Sequence, residues 1–222
     1  MATLTFVKSY PEAGNIKTFV FDGTGLTWVP GQYQTYELPQ AGENEDAHRR
    51  YFTIASAPSE HDIHISTRVS ASPFKQALDA LQPSETIEAH DIEGDFTWDD
   101  DEPIVMVAGG IGVTPFRSMI IERAATGKPI NALLLYYGRD ENFAFKDEFA
   151  RIASEHQELA IKYIVGEPIS ADSIGAHAPQ VADRPVYLSG PEAMVDAVGE
   201  DLVARGVTLK QDWFPGYDDQ TF

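Results

Sequence analysis

"PIVMVAGGIGVTPFRSMI", residues 103–120, places a glycine-rich turn between a buried-strand pattern and the start of a helix. The apolar run 103–108 predicts a strand, and the glycines that follow allow a tight turn and close backbone approach. Thr114 and Pro115 are typical of an N-cap followed by a proline at the first helical position. The free N–H groups and positive dipole end of this helix predict a site for an anion, most simply the pyrophosphate of a dinucleotide.

The turn fits neither of two common phosphate-binding patterns. In a Gly-x-Gly-x-x-Gly frame that starts at Gly110, the sixth position is Pro115, and no Gly-Lys-Ser/Thr follows. A plain Rossmann fingerprint and a P-loop are therefore excluded, and a strand–turn–helix site of another kind is expected.

Two different patterns divide the chain on either side of this region. The first hundred residues read as short strands separated by turns, with one helix over residues 72–81, which predicts an antiparallel β-barrel. From residue 103 onward buried strands alternate with amphipathic helices, which predicts a parallel sheet with ligands at the carboxyl ends of its strands. We therefore expect a two-domain β + α/β protein, with a barrel over residues 1–100 and an α/β domain over 101–222.

The composition of the chain excludes several classes of partner and of metal site. The 222 residues include 16 basic and 35 acidic side chains, and the net charge of −19 argues against nucleic acid or an anionic membrane as partner. The acidic runs are solvated loops, a docking surface for a cationic partner, or an adaptation to a salt-rich cytoplasm. No apolar stretch approaches a signal peptide or a membrane span, so a cytoplasmic protein without membrane insertion is expected. The absence of cysteine excludes iron–sulfur clusters and thiolate zinc sites, and the six histidines show no metal-ligand spacing.

Three stretches occur in an order that resembles the ferredoxin–NADP reductase family of flavoenzymes. "RRYFTIAS" (49–56) is similar to the family's Arg-x-Tyr-Ser flavin motif, and "GGIGVTPF" (109–116) to its Gly-Gly-x-Gly-x-Thr-Pro nicotinamide loop. "LSGPEAM" (188–194) resembles its Cys-Gly-Pro-x-x-Met stretch, and "DWF" (212–214) resembles its acidic-x-Phe terminus. The resemblance implies a barrel that binds FAD, an α/β domain that presents NADH or NADPH, and hydride transfer from nicotinamide to flavin.

The resemblance also implies which residues lie at the site. Flavin contacts fall on Arg50 for the phosphate tail and on Phe52 and Thr53 for the ring, although strand alternation sets Thr53 on the opposite face from the other two. The residues implied at the reacting rings are Thr53, Ser189 and Phe214. The full set implied in cofactor binding is Arg50, Tyr51, Phe52, Thr53, Ser70, Ser72, Gly109, Gly110, Gly112, Thr114, Pro115, Arg139, Gly190, Pro191, Asp212 and Phe214.

Several positions depart from the family's pattern. Val69 stands where a glycine precedes the flavin-phosphate serine, Ser72, so FMN stays an alternative to FAD. Ser189 replaces the family's cysteine, which keeps a hydrogen-bonding atom beside the nicotinamide. Acidic residues follow Arg139, which favours NADH over NADPH. Aromatic residues at the end of the sequence, Trp213, Phe214, Tyr217 and Phe222, are candidates for a displaceable lid over the flavin.

The electron acceptor is the least determined part of the prediction. A separate electron-carrier protein of the ferredoxin or flavodoxin type is expected, although such carriers are generally acidic and a charge of −19 slows their encounter. A basic cluster of Arg49, Arg50, Arg68 and Lys75 could steer them. Two alternatives stay open: a reductase of free flavin, quinones or ferric chelates, and a non-catalytic flavin-binding subunit of a larger complex.

Overall fold

The computed structural model describes residues 1–38, 41 and 48–214, which form two sheets. The first is antiparallel, with strand order β4-β3-β6-β1-β2-β5. The backbone N–H of Ala55, just after β4, donates to the carbonyl of His64 in β5 at 2.9 Å, so the two edge strands meet. This arrangement confirms the predicted antiparallel barrel. Its strands are β1 (Ala2–Ala13), β2 (Ile16–Asp22), β3 (Tyr33–Glu37), β4 (Arg49–Thr53), β5 (Asp62–Arg68) and β6 (Thr86–Glu93).

The barrel core follows from alternation along its strands. Phe19 and Phe21 on β2 and Ile63 and Ile65 on β5 are completely buried, as expected for residues two apart that point to the same face. Helix α1 (Pro73–Ala80) adds Phe74 to the same apolar cluster. The barrel is therefore held by its own core and is covered by the helix that follows β5.

The second sheet is parallel and carries apolar layers on both faces. Its strand order is β11-β10-β7-β8-β9, and each neighbouring pair is parallel. Side chains of β7 alternate between the two layers, which explains why its sequence is an unbroken apolar run. The strands are β7 (Ile104–Gly109), β8 (Ala132–Gly138), β9 (Leu159–Val165), β10 (Val186–Pro191) and β11 (Leu209–Phe214), and the helices are α2 (Thr114–Thr126), α3 (Lys146–Glu155), α4 (Ala171–His177) and α5 (Glu192–Ala204).

The start of α2 differs from the prediction. Residues Gly110–Val113 form a turn of 3-10 helix, Val113 is the N-cap, and Thr114 is the first residue of α2. The hydroxyl of Thr114 donates to the carbonyl of Ile111 at 3.1 Å instead of accepting from the helix. The predicted N-cap role of Thr114 is therefore wrong, because the preceding turn already supplies the helical geometry. At α1 the prediction is confirmed, with Ser72 at the N-cap and a proline next to it.

The predicted boundary at residue 100 stays a prediction. Phe96 and Trp98, which precede it, pack with the apolar layer of the second sheet. Helix α4 was not predicted from the sequence. The longest described helices have 13 residues, fewer than the roughly 20 apolar residues that a membrane span requires.

Candidate functional site

A cleft of about 550 Å³ opens between the barrel and β11. The barrel side contributes the end of β4, and the opposite side contributes the end of β11 at the carboxyl edge of the parallel sheet. Ligands of α/β sheets bind at this edge, so the cleft joins the predicted flavin strand to the predicted nucleotide side. Its lining residues are Gly31, Tyr33, Tyr51, Phe52, Thr53, Glu93, Gly94, Asp95, Phe96, Gln211, Asp212 and Trp213.

The aromatic residue of β4 that faces solvent is Tyr51, and not Phe52 as the motif implies. Tyr51 is 51% exposed in the cleft, and its ring lies 6.1 Å from that of Tyr33 in an edge-to-face arrangement. Phe52 lines the cleft but is only 6% exposed, because its ring packs against Tyr36 and Phe74 in the barrel core. The exposed aromatic surface that a flat ring would meet therefore comes mainly from the two tyrosines.

Thr53 and Arg50 complete the flavin strand. Thr53 is buried at the end of β4 and lines the cleft, on the same side of the strand as Tyr51. Arg50 is half-buried, and its Nη1 donates to the carbonyl of Arg49 at 2.7 Å. The structure thus places Thr53 directly at the cleft, whereas Arg50 is not among the residues that line it.

The start of α1 carries a buried hydroxyl for which the described part of the chain offers no partner. Ser72 is the N-cap, yet its side chain makes no capping bond, and its Oγ is buried without a hydrogen-bond partner. Its backbone N–H points to Ser70 Oγ at 3.4 Å. An unsatisfied hydroxyl beside the N–H groups at the start of a helix fits a phosphate oxygen, which both could bind.

The glycine turn is shaped by its neighbours in the protein. Gly110 has φ +55°, a left-handed conformation that glycine adopts at little cost. A Cβ on Gly112 would lie 2.4 Å from the carbonyl oxygen of Ser189, so only glycine lets the turn pack against β10. Gly109 ends β7, and Thr114 and the residues on either side are buried. The turn is therefore closely packed and lies directly against the end of β10.

The ends of β10 and β11 form a hydrogen-bonded pair beside the cleft. The fully buried hydroxyl of Ser189 donates to Asp212 Oδ2 at 3.3 Å, as the parallel register of the two residues allows. Burial raises the pKa of Asp212 to about 7, and the nearby charge of Asp95 acts in the same direction. Gly190 is buried next to Pro191, where β10 leads into α5. The Asp212 carboxyl can therefore gain or lose a proton near neutral pH.

Two predicted residues lie apart from this cleft or outside the description. Arg139 follows β8 and is exposed, with the exposed Asp140 and Glu141 directly after it. Phe214 ends β11, and its side chain, like Tyr217 and Phe222, lies outside the described residues. The role of Arg139 in nucleotide binding and the aromatic lid therefore both stay predictions.

Sequence reasoning missed several side chains of the cleft, among them three polar residues on the barrel side. Tyr33 comes from β3, Glu93 from the end of β6 and Asp95 from the segment after it. Tyr33 Oη donates to Glu93 Oε2 at 3.1 Å, which fixes the tyrosine against the cleft wall. None of them lies in a recognisable motif, and only the pairing of β3 with both β4 and β6 brings them together.

Comparison with known proteins places these observations in a family. Residues 106–200 match the model of the oxidoreductase NAD-binding domain. Ferredoxin–NADP reductase B of Sorangium cellulosum is 30% identical over 206 residues, which cover 83% of this chain and 82% of that protein. The chain belongs to the ferredoxin–NADP reductase family. Members are oxidoreductases, so the alternative of a non-catalytic subunit loses its support.

Other relatives are longer than this chain. A flavohemoprotein of a Burkholderia species is 28% identical over 206 residues, which cover 85% of this chain and 51% of that protein. The chain thus spans about half the length of the flavohemoproteins it matches. Among solved structures, the FAD/NAD-binding domain of a Vibrio cholerae nitric oxide dioxygenase has a TM-score of 0.78 at 21% identity, covering 96% of this chain and 98% of that one, and it supports the fold.

Family membership and fold together indicate which cofactors the chain binds. The similarity to family members supports binding of FAD and of NAD(P)H. The residues present fit FAD: an open cleft with two tyrosine rings for a flat ring system, and an unsatisfied Ser72 hydroxyl at a helix start for a phosphate.

Proposed function

We propose that the cleft between β4 and β11 holds the flavin ring of FAD and admits the nicotinamide of NAD(P)H. The observation that carries the proposal is that one cavity is lined both by Tyr51 and Thr53 of the flavin motif and by Asp212, the partner of Ser189. A site that receives hydride must bring the two cofactors together in one place, and this cleft has a wall from each sheet.

Each wall contributes a distinct function to this proposal. Tyr51 and Tyr33 supply aromatic surface for the flavin ring, and Thr53 supplies a polar group at its edge. Arg50, Ser70 and Ser72 bind the phosphate tail through charge and hydroxyl donors. When bound, FAD accepts two electrons as hydride and can release them one at a time, and the protein orients it for both steps.

The opposite wall is proposed to orient the nucleotide. The glycine turn, with Gly110, Gly112 and the start of α2, directs backbone N–H groups to the pyrophosphate. Gly190 has no Cβ and lets the Met194 side chain pack closely at the end of β10. The Ser189 hydroxyl donates its proton to Asp212 and can accept a hydrogen bond at the nicotinamide. Asp212 holds this hydroxyl in place and limits its rotation.

The proposed site is tested by flavin reduction in single turnover. We expect the purified protein to bind FAD and to lose its flavin absorbance on anaerobic addition of NADH. Thr53→Val should slow this step at least about tenfold, since it removes a polar group at the ring. Thr35→Val, a buried threonine one strand away that does not line the cleft, is the matched control and should leave the rate unchanged. A protein that binds no flavin, or equal rates in the two variants, would contradict the proposal.

We infer that NADH is the preferred donor. A pocket for the 2′-phosphate of NADPH needs net positive charge, but Arg139 is followed by two exposed carboxylates, Asp140 and Glu141. The ratio of kcat/KM for the two donors measures the preference. Asp140→Asn should raise kcat/KM for NADPH roughly fivefold by removing one repulsive charge, and should leave that for NADH nearly unchanged.

For the acceptor, we propose a separate electron-carrier protein of the ferredoxin type. The relative from Sorangium cellulosum, whose name states a ferredoxin as partner, aligns over most of both chains, which supports this choice. These 222 residues contain no cysteine and hence no cysteine-ligated iron–sulfur cluster, so the electrons leave the flavin for an acceptor outside this sequence. The FAD-loaded protein should then oxidise NADH faster in steady state when a ferredoxin is added.

Charge supports a second candidate, a small acceptor such as free flavin, a quinone or a ferric chelate. The carboxylates of Glu93 and Asp95 line the cleft of a chain that carries −19 in total. An acidic carrier would approach this region against repulsion, whereas an uncharged quinone would not. Measuring turnover at saturating NADH with each acceptor in turn distinguishes the two candidates. Fast turnover with a quinone, and no increase when a ferredoxin is added, would favour the small acceptor.

A further inference from the structure

Helix α2 holds the stretch of chain that leaves the flavin strand, residues 55–60, which we call the anchored segment. The hydroxyl of Ser118, fully buried, donates to the carbonyl of Ser56 at 2.6 Å. The carboxylate of Glu122 accepts from the backbone N–H of Ser59 at 2.9 Å. Two side chains of α2 therefore bind the backbone of the anchored segment directly.

Arg117 makes the strongest connection between α2 and this segment. Its Nη1 donates to the carbonyl of Ala55 at 2.8 Å, and Nη1 and Nη2 each donate to one oxygen of Glu60 at 2.9 Å. Nε and Nη2 also donate to Glu148 on α3 at 2.8 and 3.0 Å. The five bonds match the five N–H groups of a guanidinium, and the side chain is 4% exposed.

Arg117 and Glu60 stay charged at neutral pH. Burial alone would raise the pKa of Glu60, but hydrogen bonds and charge from Arg117 outweigh it and hold that pKa below its usual value. The bidentate geometry fixes direction as well as distance. A lysine at the same position would keep the charge but could not reproduce the planar fork.

The position of the cluster connects the two halves of the proposed site. Thr53 at the flavin end of the cleft is two residues from Ala55, which Arg117 binds. Thr114, the first residue of α2, is three residues before Arg117 and directly follows the glycine turn. A few covalent and hydrogen bonds thus join the flavin strand to the nucleotide turn.

We propose that Arg117 and Ser118 are positioning residues for hydride transfer, which fix the spacing between β4 and the glycine turn. The proposal rests on the site proposed above, with flavin at β4 and nicotinamide at the turn. Reacting atoms must approach to about 3–3.5 Å, and a misplacement of about 1 Å can cost about 100-fold in rate. The two residues therefore govern the rate of the transfer and not the affinity for the donor.

A matched control lies on the same helix. Arg123 is also 4% exposed and also pairs with a carboxylate, that of Asp101. Its other hydrogen bonds are donated to backbone carbonyls, including that of Pro129. None of its recorded contacts in the described residues reaches the anchored segment. Arg123→Lys thus removes a comparable buried guanidinium from α2 without touching the connection to β4.

The test compares Arg117→Lys with Arg123→Lys in the FAD-loaded protein. Stopped-flow reduction by NADH gives the limiting rate and the Kd of the donor, and amide hydrogen exchange reports the order of residues 54–60. For Arg117→Lys we expect a limiting rate lower by about 10- to 100-fold, a Kd within about twofold of wild type, and faster exchange in the anchored segment. Arg123→Lys should keep the wild-type rate and the wild-type exchange of that segment.

A milder variant protects the test against failure to fold. Ser118→Ala removes a single hydrogen bond to Ser56, whose carbonyl retains the indole N–H of Trp28 at 3.0 Å, and should lower the rate about two- to fivefold. The proposal is overturned if neither Arg117→Lys nor Ser118→Ala slows the transfer, or if Arg123→Lys slows it equally. Wild-type protein that neither donor reduces would instead overturn the proposed site.

Discussion

At the scale of single residues, the neighbours of Gly112 set a strict limit on its size. A Cβ there would lie 2.4 Å from the oxygen of Ser189 and 2.8 Å from the Cα of Gly190, both of them backbone atoms. Gly112→Ala should therefore lower the free energy of unfolding by about 1–3 kcal/mol and weaken NADH binding, because the turn must move away from β10. Urea denaturation and a donor titration measure the two effects.

Gly175 provides the control for this substitution. It lies inside α4, and a Cβ there would meet no atom within 4 Å. Gly175→Ala should leave NADH binding unchanged and raise stability by up to about 1 kcal/mol, since alanine favours helix. Equal losses of stability and NADH affinity in the two variants would show that the close contact with Ser189 is not the reason why position 112 requires glycine.

A second prediction at this scale concerns Asp212 and pH. Burial raises its pKa in the folded protein to about 7 from the usual 3.8, so between these values the folded state holds a proton that the unfolded state has lost. This contribution favours folding at low pH and is lost as pH rises toward 7, by at most about 1.4 kcal/mol per pH unit. Asp212→Asn should flatten the pH dependence and make the flavin-free protein relatively more stable at pH 8.

The measurement is a series of urea denaturations of the flavin-free protein between pH 5 and pH 8. The difference in unfolding free energy between Asp212→Asn and wild type should grow with pH over this range. Glu200→Gln, a change at an exposed carboxylate of α5 outside the cleft, should give a constant difference. A pH-independent difference for Asp212→Asn would mean that the carboxylate is already charged throughout.

The side chains of β4 show which features of the site could not be predicted from the sequence. Alternation along β4 correctly sets Tyr51 and Phe52 on opposite faces, but it does not say which face is the core. That choice depends on Tyr36 of β3 and Phe74 of α1, which pack on Phe52 and come from distant parts of the sequence. The Arg117 cluster was missed for the same reason, since Glu60 and Glu148 lie 57 and 31 residues away from it.

At the scale of elements, the start of α1 yields a prediction about flavin affinity. Ser72 Oγ is buried without a described partner next to helix N–H groups, which fits a phosphate of FAD. Ser72→Ala should raise the Kd of FAD about tenfold, the loss of one hydrogen bond to a charged group. Ser59→Ala is the matched control, because Ser59 Oγ is also buried without a described partner but lies away from α1.

Fluorescence titration of the flavin-free protein gives both dissociation constants. NADH affinity in the loaded protein should not change in either variant, since α1 belongs to the barrel. An unchanged Kd for Ser72→Ala, or an equal rise for Ser59→Ala, would place the phosphate tail elsewhere.

Local patterns were sufficient for most elements but not for their arrangement. Ten of the eleven strands in the described part of the chain were predicted within a few residues, because the sequences of β2 and β5 alternate and β7 is an unbroken apolar run. The order β4-β3-β6-β1-β2-β5 could not be predicted, since it depends on pairings such as β1 with β6 that join residues about 85 positions apart. Helix α4, with seven residues, is too short for its periodicity to stand out from a loop.

At the scale of the whole molecule, net charge governs encounters with a protein acceptor. A charge of −19 creates a repulsive field toward any acidic carrier, and the carboxylates of Glu93 and Asp95 bring it to the edge of the cleft. Salt shortens the range of this field from about 30 Å at 0.01 M to about 8 Å at 0.15 M. Ionic strength therefore distinguishes repelled from attracted or uncharged acceptors.

We expect the second-order rate constant for reduction of an acidic ferredoxin to rise several-fold between about 0.01 and 0.15 M salt, because screening removes repulsion. The rate is measured at saturating NADH, so that salt effects on the donor do not contribute. An uncharged quinone is the control, and its rate should be nearly independent of salt. A ferredoxin rate that falls with salt would mean that a local positive surface, with Arg68 as the first candidate for substitution, outweighs the net charge and steers the carrier.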